Sequence, residues 1–227
     1  MISLTDSIPR PTFPNAELIK LNCTFDCYGD TDTALFWRQD NDQAVIGMTD
    51  GNMVIYNKNA DIKELSEFVS VISPCCVFSD IDTLCSLSLI PKEEVSVMHR
   101  AADIKGQTDG DCLNSREIYD LLDVEGLSLP DYPYFAVDYC RRLNRGAADY
   151  FALSTKCAAI SFNTGVFAIM NGIASHKKGY GSIALKAILQ KNYGRDFVVC
   201  CRQSVKGFYE KNGFNELYRA GYWVKNI

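Results

Sequence analysis

The stretch His176-Lys177-Lys178-Gly179-Tyr180-Gly181-Ser182 sets two lysines, two glycines and a serine between an apolar run (166–174) and a run with helical spacing (183–189). A glycine-rich loop that opens a helix leaves several backbone N–H groups without intrahelical partners. The helix dipole adds partial positive charge at the same place, which suits an anion. Glycine lets the chain turn tightly and lets a phosphate approach with no Cβ in the way. Lys177 and Lys178 add local positive charge. These residue types at this spacing point to capture of a di- or polyphosphate by main-chain amides, steered by lysine.

Two familiar phosphate loops compete for this stretch. The pattern G-x-x-x-x-G-K-[ST] is absent. The dinucleotide pattern G-x-G-x-x-A matches Gly179, Gly181 and Ala184. That fingerprint opens a long series of β-α units, whereas one strand, one helix and a last strand are all that follow here.

Other reactive side chains narrow the classes. The chain has ten cysteines but no C-x-x-C, and two histidines, His99 and His176, so no ligand spacing supports zinc. No metal is expected. The first residues show no apolar core after a basic segment, as a signal peptide would. No apolar run reaches the roughly 18 residues of a membrane span. The expectation is a cytoplasmic protein with reduced cysteines serving as small core residues. Cys200 and Cys201 read as alternating sides of a strand, with nothing nearby in sequence to lower a thiol pKa. Net charge is -5, without the broad basic footprint of nucleic-acid binding. Neither nucleic acid nor membrane is an expected partner, and a monomer or homodimer is expected.

The elements that must position these residues follow from patterning. With 227 residues and 47% hydrophobic content, the chain suits one large or two small domains. Asn15–Tyr28 is helix-compatible. ALFWRQ, QAVIGMTDG and NMVIYNK are β-prone, and the DND and DGN turns between them use residues that tolerate positive φ. Asp61 followed by Glu64 suggests a capping box. Ile62, Leu65, Phe68, Val69 and Ile72 then share one helical face, and Pro74 stops the helix. CCVFSDI and EEVSVMHR read as strands. Composition turns polar and glycine-rich over 102–114, which puts a boundary between an α/β domain at 1–105 and a second at 106–227. In the second, helices start at Ser115 and Tyr134, and ADYFALS, KCAAISFN and VFAIMNGIA are β-prone. The quoted loop opens a helix with Ile183, Leu185 and Ile188 as its buried face. DFVVCC is a strand, and QSVKGFYEKNG a helix with Gly213 placed for a left-handed cap. ELYRAGYWV is a last strand. The order α-α-β-β-β-α-β-α-β implies a mixed, mostly antiparallel sheet flanked by helices, an α/β (α+β) fold.

Residues 115–227 resemble the GNAT acetyltransferase superfamily. Its loop pattern [RQ]-x-x-G-x-[GA] fits His176 to Gly181 at every place but the first, and "GFYEKNGF" (207–214) matches its signature in the helix after the fifth strand. The layout is similar to uncharacterised bacterial members with an extra N-terminal region, here a possible degenerate GNAT-like half without a phosphate loop of its own.

The resemblance implies acetyl-CoA as co-substrate. Its diphosphate would sit on the amides of Lys178, Gly179, Tyr180, Gly181 and Ser182, with Lys177 beside them. The pantetheine arm would lie where the fourth and fifth strands splay, against the main chain of Gly172, Ile173 and Ala174. Tyr209 matches the position whose hydroxyl faces the CoA sulfur, as general acid or hydrogen-bond donor. Arg202, standing where relatives carry Asn, could pair with a CoA phosphate. Val205 replaces the usual Ala. His176 replaces Arg or Gln, beside a strand-to-loop spacer about four residues short, and reads as structural or anion-contacting rather than as a base. Asp149 and Asp138 are candidate bases, each also readable as a solvated or capping carboxylate. Tyr132, Tyr134, Phe135 and Tyr139 could wall an acceptor pocket or pack the core. The implied activity is acetyl transfer to an unidentified amine by direct attack in a ternary complex. The alternative is an inactive sensor or scaffold module that binds CoA or acyl-CoA.

Overall fold

The computed structural model describes residues 1–225. Its elements run β1 (Ser3–Leu4), α1 (Ala16–Tyr28), β2 (Ala34–Arg38), β3 (Ala44–Thr49), β4 (Asn52–Asn57), α2 (Ile62–Ile72), β5 (Cys76–Asp80), α3 (Ile81–Ser86), β6 (Glu93–Ala101), α4 (Ser115–Leu122), α5 (Tyr132–Asn144), β7 (Ala148–Leu153), β8 (Cys157–Thr164), β9 (Phe167–Ser175), α6 (Tyr180–Lys191), β10 (Asp196–Cys201), α7 (Gln203–Lys211) and β11 (Asn215–Val224). They form two compact units, Met1–Met98 with Cys200–Ile227, and His99–Val199. Alongside the sequence boundary near residue 105 stands a division at Cys200, which groups α7 and β11 with the N-terminal residues.

In the first unit the strand order is β1-β2-β3-β4-β5-β11-β6. The pairs β1–β2, β2–β3, β3–β4 and β5–β11 are antiparallel, while β4 and β5 run parallel across the α2 crossover. The turns between strands use the left-handed backbone that Asn, Asp and Gly favour. Asn41, Asp42, Asp50 and Gly51 all adopt positive φ there. Asp61 caps α2 by accepting the N–H groups of Lys63 (3.0 Å) and Glu64 (3.2 Å). The expected capping box is not completed. The Asp61 N–H goes to Gln39, and Glu64 instead accepts from the Ile2 N–H and the Gln39 amide. Leu65 and Val69 of α2 are buried against Trp37, Ile46, Met53, Ile55 and Val77. A fully buried side chain of this kind contributes about 1.5–3 kcal/mol.

Helix α3 was not legible. The CCVFSDI run carries strand character through Ile81, but Asp80 accepts the Thr83 N–H at 2.8 Å and turns the chain into a helix. So short a helix cannot display a helical period.

The second unit orders its strands β10-β9-β8-β7. β7, β8 and β9 are antiparallel neighbours, and β10 returns parallel to β9 after α6. Here a capping box does form: Asn114 accepts two N–H groups of α4, and Glu117 accepts the Asn114 N–H. Ile118 and Leu122 of α4 and Phe135 and Tyr139 of α5 pack with Ala152, Ala158, Ile160 and Ala174. The order strand-strand-strand-helix-parallel strand thus occurs twice, as β2-β3-β4-α2-β5 and as β7-β8-β9-α6-β10.

Candidate functional site

Strand β9 carries two irregularities. Against β8, Ile160 pairs with Gly172 and Ser161 with Met170, so exposed Asn171 is an extra residue, a bulge. Against β10, pairing covers Phe167, Ala168 and Ile169 and stops at Val198. From Met170 onward β9 has no registered partner on that side; Gly172 and Ala174 are buried there and Ile173 is half-buried. A bulge next to the end of that pairing bends the strand away from its neighbour. The family resemblance implied a splay here; the bulge at Asn171 was not read from the sequence, because it depends on the β8–β9 register.

The loop after β9 is held at its root. His176 donates its backbone N–H to the Lys156 carbonyl at 2.8 Å. Its Nε2 donates to the Leu121 carbonyl at 2.9 Å, and Ser175 donates its hydroxyl to the Lys177 carbonyl at 2.7 Å. The imidazole thus has a structural hydrogen bond, one of the two roles, structural or anion-contacting, that its place beside the loop suggested. Gly179 adopts φ 89°, ψ -23°, and no side chain caps α6. That backbone conformation suits glycine. Among the described residues no protein acceptor takes the N–H of Gly181 or Ser182. No acid stands in the first turn of α6, and Lys177, Lys178 and Gly179 are exposed. A third lysine joins them: Lys156 Nζ lies 5.4 Å over the Tyr180 ring. Lys156 is remote from the loop in sequence, and only the Cys157–Ser175 register brings it near. The α6 buried face is Ala184, Leu185, Ala187, Ile188 and Leu189. Ile183, expected on that face, is 40% exposed, since it lies in the first turn beyond the edge of the packed face. A cleft of about 410 Å³ opens beside His176, lined also by Glu117, Asp120, Leu121, Ser154 and Thr155.

The candidate bases are engaged. Asp149 accepts from Asn163 (3.0 Å) and lies 4.0 Å from Arg195. Asp138 accepts from Arg142 at 2.8 Å. Phe135 and Tyr139 stack with ring centroids 5.5 Å apart inside the core, whereas Tyr134 points outward at 69% exposure.

Tyr209 and Arg202 belong to the first unit. Tyr209 is buried, edge-on to Phe208 (5.1 Å) and Phe214 (5.5 Å). Burial pushes its phenol pKa upward, with Cys201 and Cys200 adding to the effect, so the hydroxyl stays a proton donor. Arg202 already has a counter-ion: its guanidinium donates to both Glu93 oxygens, at 2.5 and 3.1 Å. No disulfide joins any of the ten cysteines. Burial raises the Cys201 thiol to about 11, which suits packing rather than nucleophilic attack. Among the described residues no cluster of His, Cys, Asp and Glu could hold a metal ion, and no helix is long and apolar enough to cross a membrane.

No protein-family model matches the chain, and comparison with curated proteins finds no match. Solved structures do match. A GCN5-related N-acetyltransferase from Sphaerobacter thermophilus is similar over 99% of this chain and 95% of its own, with TM-score 0.58 at 10% identity. The chain has the GNAT fold. A tandem GNAT protein from the clavulanic acid biosynthesis pathway covers 94% of this chain and 90% of its own, with TM-score 0.54 at 9% identity. A GNAT-family acetyltransferase from Colwellia psychrerythraea covers 99% and 100%, with TM-score 0.51 at 12% identity. At these identities the likeness concerns the GNAT fold alone. It bears out the mixed, mostly antiparallel sheet with flanking helices.

Proposed function

We propose that the chain is an acetyl-CoA-dependent N-acetyltransferase. The observation that carries this is the uncapped start of α6, with Gly179 left-handed and the Gly181 and Ser182 amides unspent, beside Lys177, Lys178 and Lys156. A CoA diphosphate has the charge and the acceptor oxygens for such a mouth. The pantetheine would run along the unpaired side of β9 and bond to the main chain of Gly172, Ile173 and Ala174. The amine nitrogen of the acceptor attacks the thioester carbonyl, the C–S bond breaks, and the departing thiolate takes a proton, the role for which the family resemblance nominates Tyr209. The proton lost by the attacking amine goes to solvent, and the donor regains one from solvent. Arg202, paired with Glu93, would reach a CoA phosphate only by exchanging that partner. The repeated strand order suits an N-terminal half that is a degenerate GNAT-like copy. Its α2 start is closed to anions because Asp61 occupies the amides.

A second reading is a module that holds CoA without turnover. It is favoured by Asp149 and Asp138 each already serving a structural hydrogen bond, to Asn163 and Arg142. Thermal unfolding with acetyl-CoA, CoA and NADP side by side tests both. A ligand at a hundredfold excess over its Kd stabilises by about 2.7 kcal/mol. Stabilisation by both CoA forms is expected, and stabilisation by NADP alone would contradict CoA binding. Release of free thiol when amines are offered separates enzyme from module.

A further inference from the structure

The first unit carries a polar cluster that the acetyltransferase chemistry does not use. Register and side-chain alternation put Tyr56 of β4, Phe78 of β5, and Tyr218 and Tyr222 of β11 on one face of the sheet. α1 packs against β2–β5. A sheet face covered by a helix is ordinarily apolar. Here α1 instead contributes Glu17, 1% exposed, and Lys20, one turn further on.

Neither charged group is satisfied. Tyr218 donates its hydroxyl to Glu17 Oε2 at 2.5 Å, and that hydroxyl in turn accepts the Ala16 N–H at 2.8 Å. Glu17 Oε1 is buried with no hydrogen-bond partner. Lys20 Nζ spends one donor on the Tyr222 hydroxyl (3.2 Å) and lies 4.5 Å over the Phe78 ring. Among the described residues no carboxylate pairs with it. A buried acceptor left empty costs stability, and a fold that keeps one beside an unpaired ammonium has the makings of a ligand site.

The β4–β5 ladder ends at the same place. β4 and β5 pair from Asn52–Cys76 to Val54–Phe78, and one residue on the Ser79 hydroxyl donates to the Ile55 carbonyl at 2.8 Å. β11 pairs with β5 only up to Ala220–Asp80, so Tyr218 lies past the end of β5. The carboxyl ends of parallel strands are a favoured place for small molecules.

We propose that this face of the first unit binds a small α-amino or α-hydroxy acid. The carboxylate takes the free donors of Lys20, the adjacent ammonium or hydroxyl donates to Glu17 Oε1, and the rings of Phe78 and Tyr222 border the carbon chain. The cluster stands independently of acetyl-CoA binding. Burial raises the Glu17 carboxyl to about 7, opposed by the Tyr218 hydrogen bond and helped by Asp80. An ammonium ligand would therefore bind more tightly as pH rises through neutrality, while a hydroxy acid would gain less.

Isothermal titration of the full chain with each standard L-amino acid, and with L-lactate, tests the site. At least one probe should saturate below about 5 mM. Its affinity should fall about tenfold in Lys20→Met and in Glu17→Gln, the scale of one charge-assisted hydrogen bond. The carboxamide form of the same probe should not bind, a result that needs no altered protein. Which probe binds distinguishes amino from hydroxy acid. Failure of every probe, binding that survives both substitutions, or equal binding of the carboxamide would overturn the proposal.

Discussion

His176 donates from Nε2 to the Leu121 carbonyl at 2.9 Å, so the first residue of the phosphate-loop candidate is fastened to the end of α4. The imidazole therefore shapes the loop, and its Nε2 proton is already committed.

Replacing it with alanine removes a hydrogen bond worth about 0.5–1.5 kcal/mol. For His176→Ala we expect acetyl-CoA affinity to weaken by about two- to tenfold, with the pH profile of kcat unchanged. Calorimetry and a pH–rate series check both. A histidine acting as base would instead remove the acidic limb of that profile.

Gly179 has open space where a Cβ would stand, so an added methyl meets nothing within 4 Å. Its φ of 89° is the obstacle. Gly179→Ala should destabilise by about 1–2 kcal/mol in urea unfolding and should weaken acetyl-CoA binding by moving the Gly181 and Ser182 amides. Gly172→Ala is a comparison for folding stability alone. Its Cβ would touch Leu127 (3.5 Å) and Leu122 (3.7 Å) at ordinary contact distance, so a smaller loss of stability than for Gly179→Ala is expected.

Tyr209→Phe deletes one hydroxyl and keeps the ring between Phe208 and Phe214. Steady-state kinetics should give a kcat about 10²–10⁴-fold lower with KM for acetyl-CoA nearly unchanged. Because burial holds the phenol protonated, the wild-type rate should show no loss from this group even at the pH where an ordinary phenol ionises, about 10. An unchanged kcat in the variant would leave the hydroxyl with no part in the chemistry.

Glu17 predicts a pH dependence of stability. Its folded pKa of about 7 lies above the ordinary 4.5, because burial disfavours the charged form. The folded state thus holds a proton that the unfolded state releases between those values. The resulting stabilisation is complete below the unfolded value and is lost as pH rises through the folded one. Glu17→Gln removes that loss. Relative to the wild type, it should be more stable at about pH 8 than at about pH 5 by on the order of 3 kcal/mol. Urea unfolding across pH measures this.

Legibility in the sequence followed local chemistry. Asp61, Pro74, Gly179 and Gly213 act through their own backbone or the next turn, so the ends of α2, the start of α6 and the left-handed Gly213 could be read directly. Tyr134 and Ile183 could not be placed, because helical spacing gives a face but not where its edge lies. The Glu64 partners, the Asn171 bulge, Lys156 at the loop and the Glu17–Tyr218 bond depend on residues far apart in the chain, up to 201 positions for the last. Pairings of that kind become visible only once strand register is known.

The most direct test is the backbone amide spectrum of the chain titrated with acetyl-CoA. The Gly181 and Ser182 N–H resonances should shift saturably with the cofactor, and those of Lys63 and Glu64, whose amides Asp61 occupies, should not. Saturable binding that leaves Gly181 and Ser182 unmoved, or no binding of acetyl-CoA at all, would contradict a diphosphate site at the start of α6.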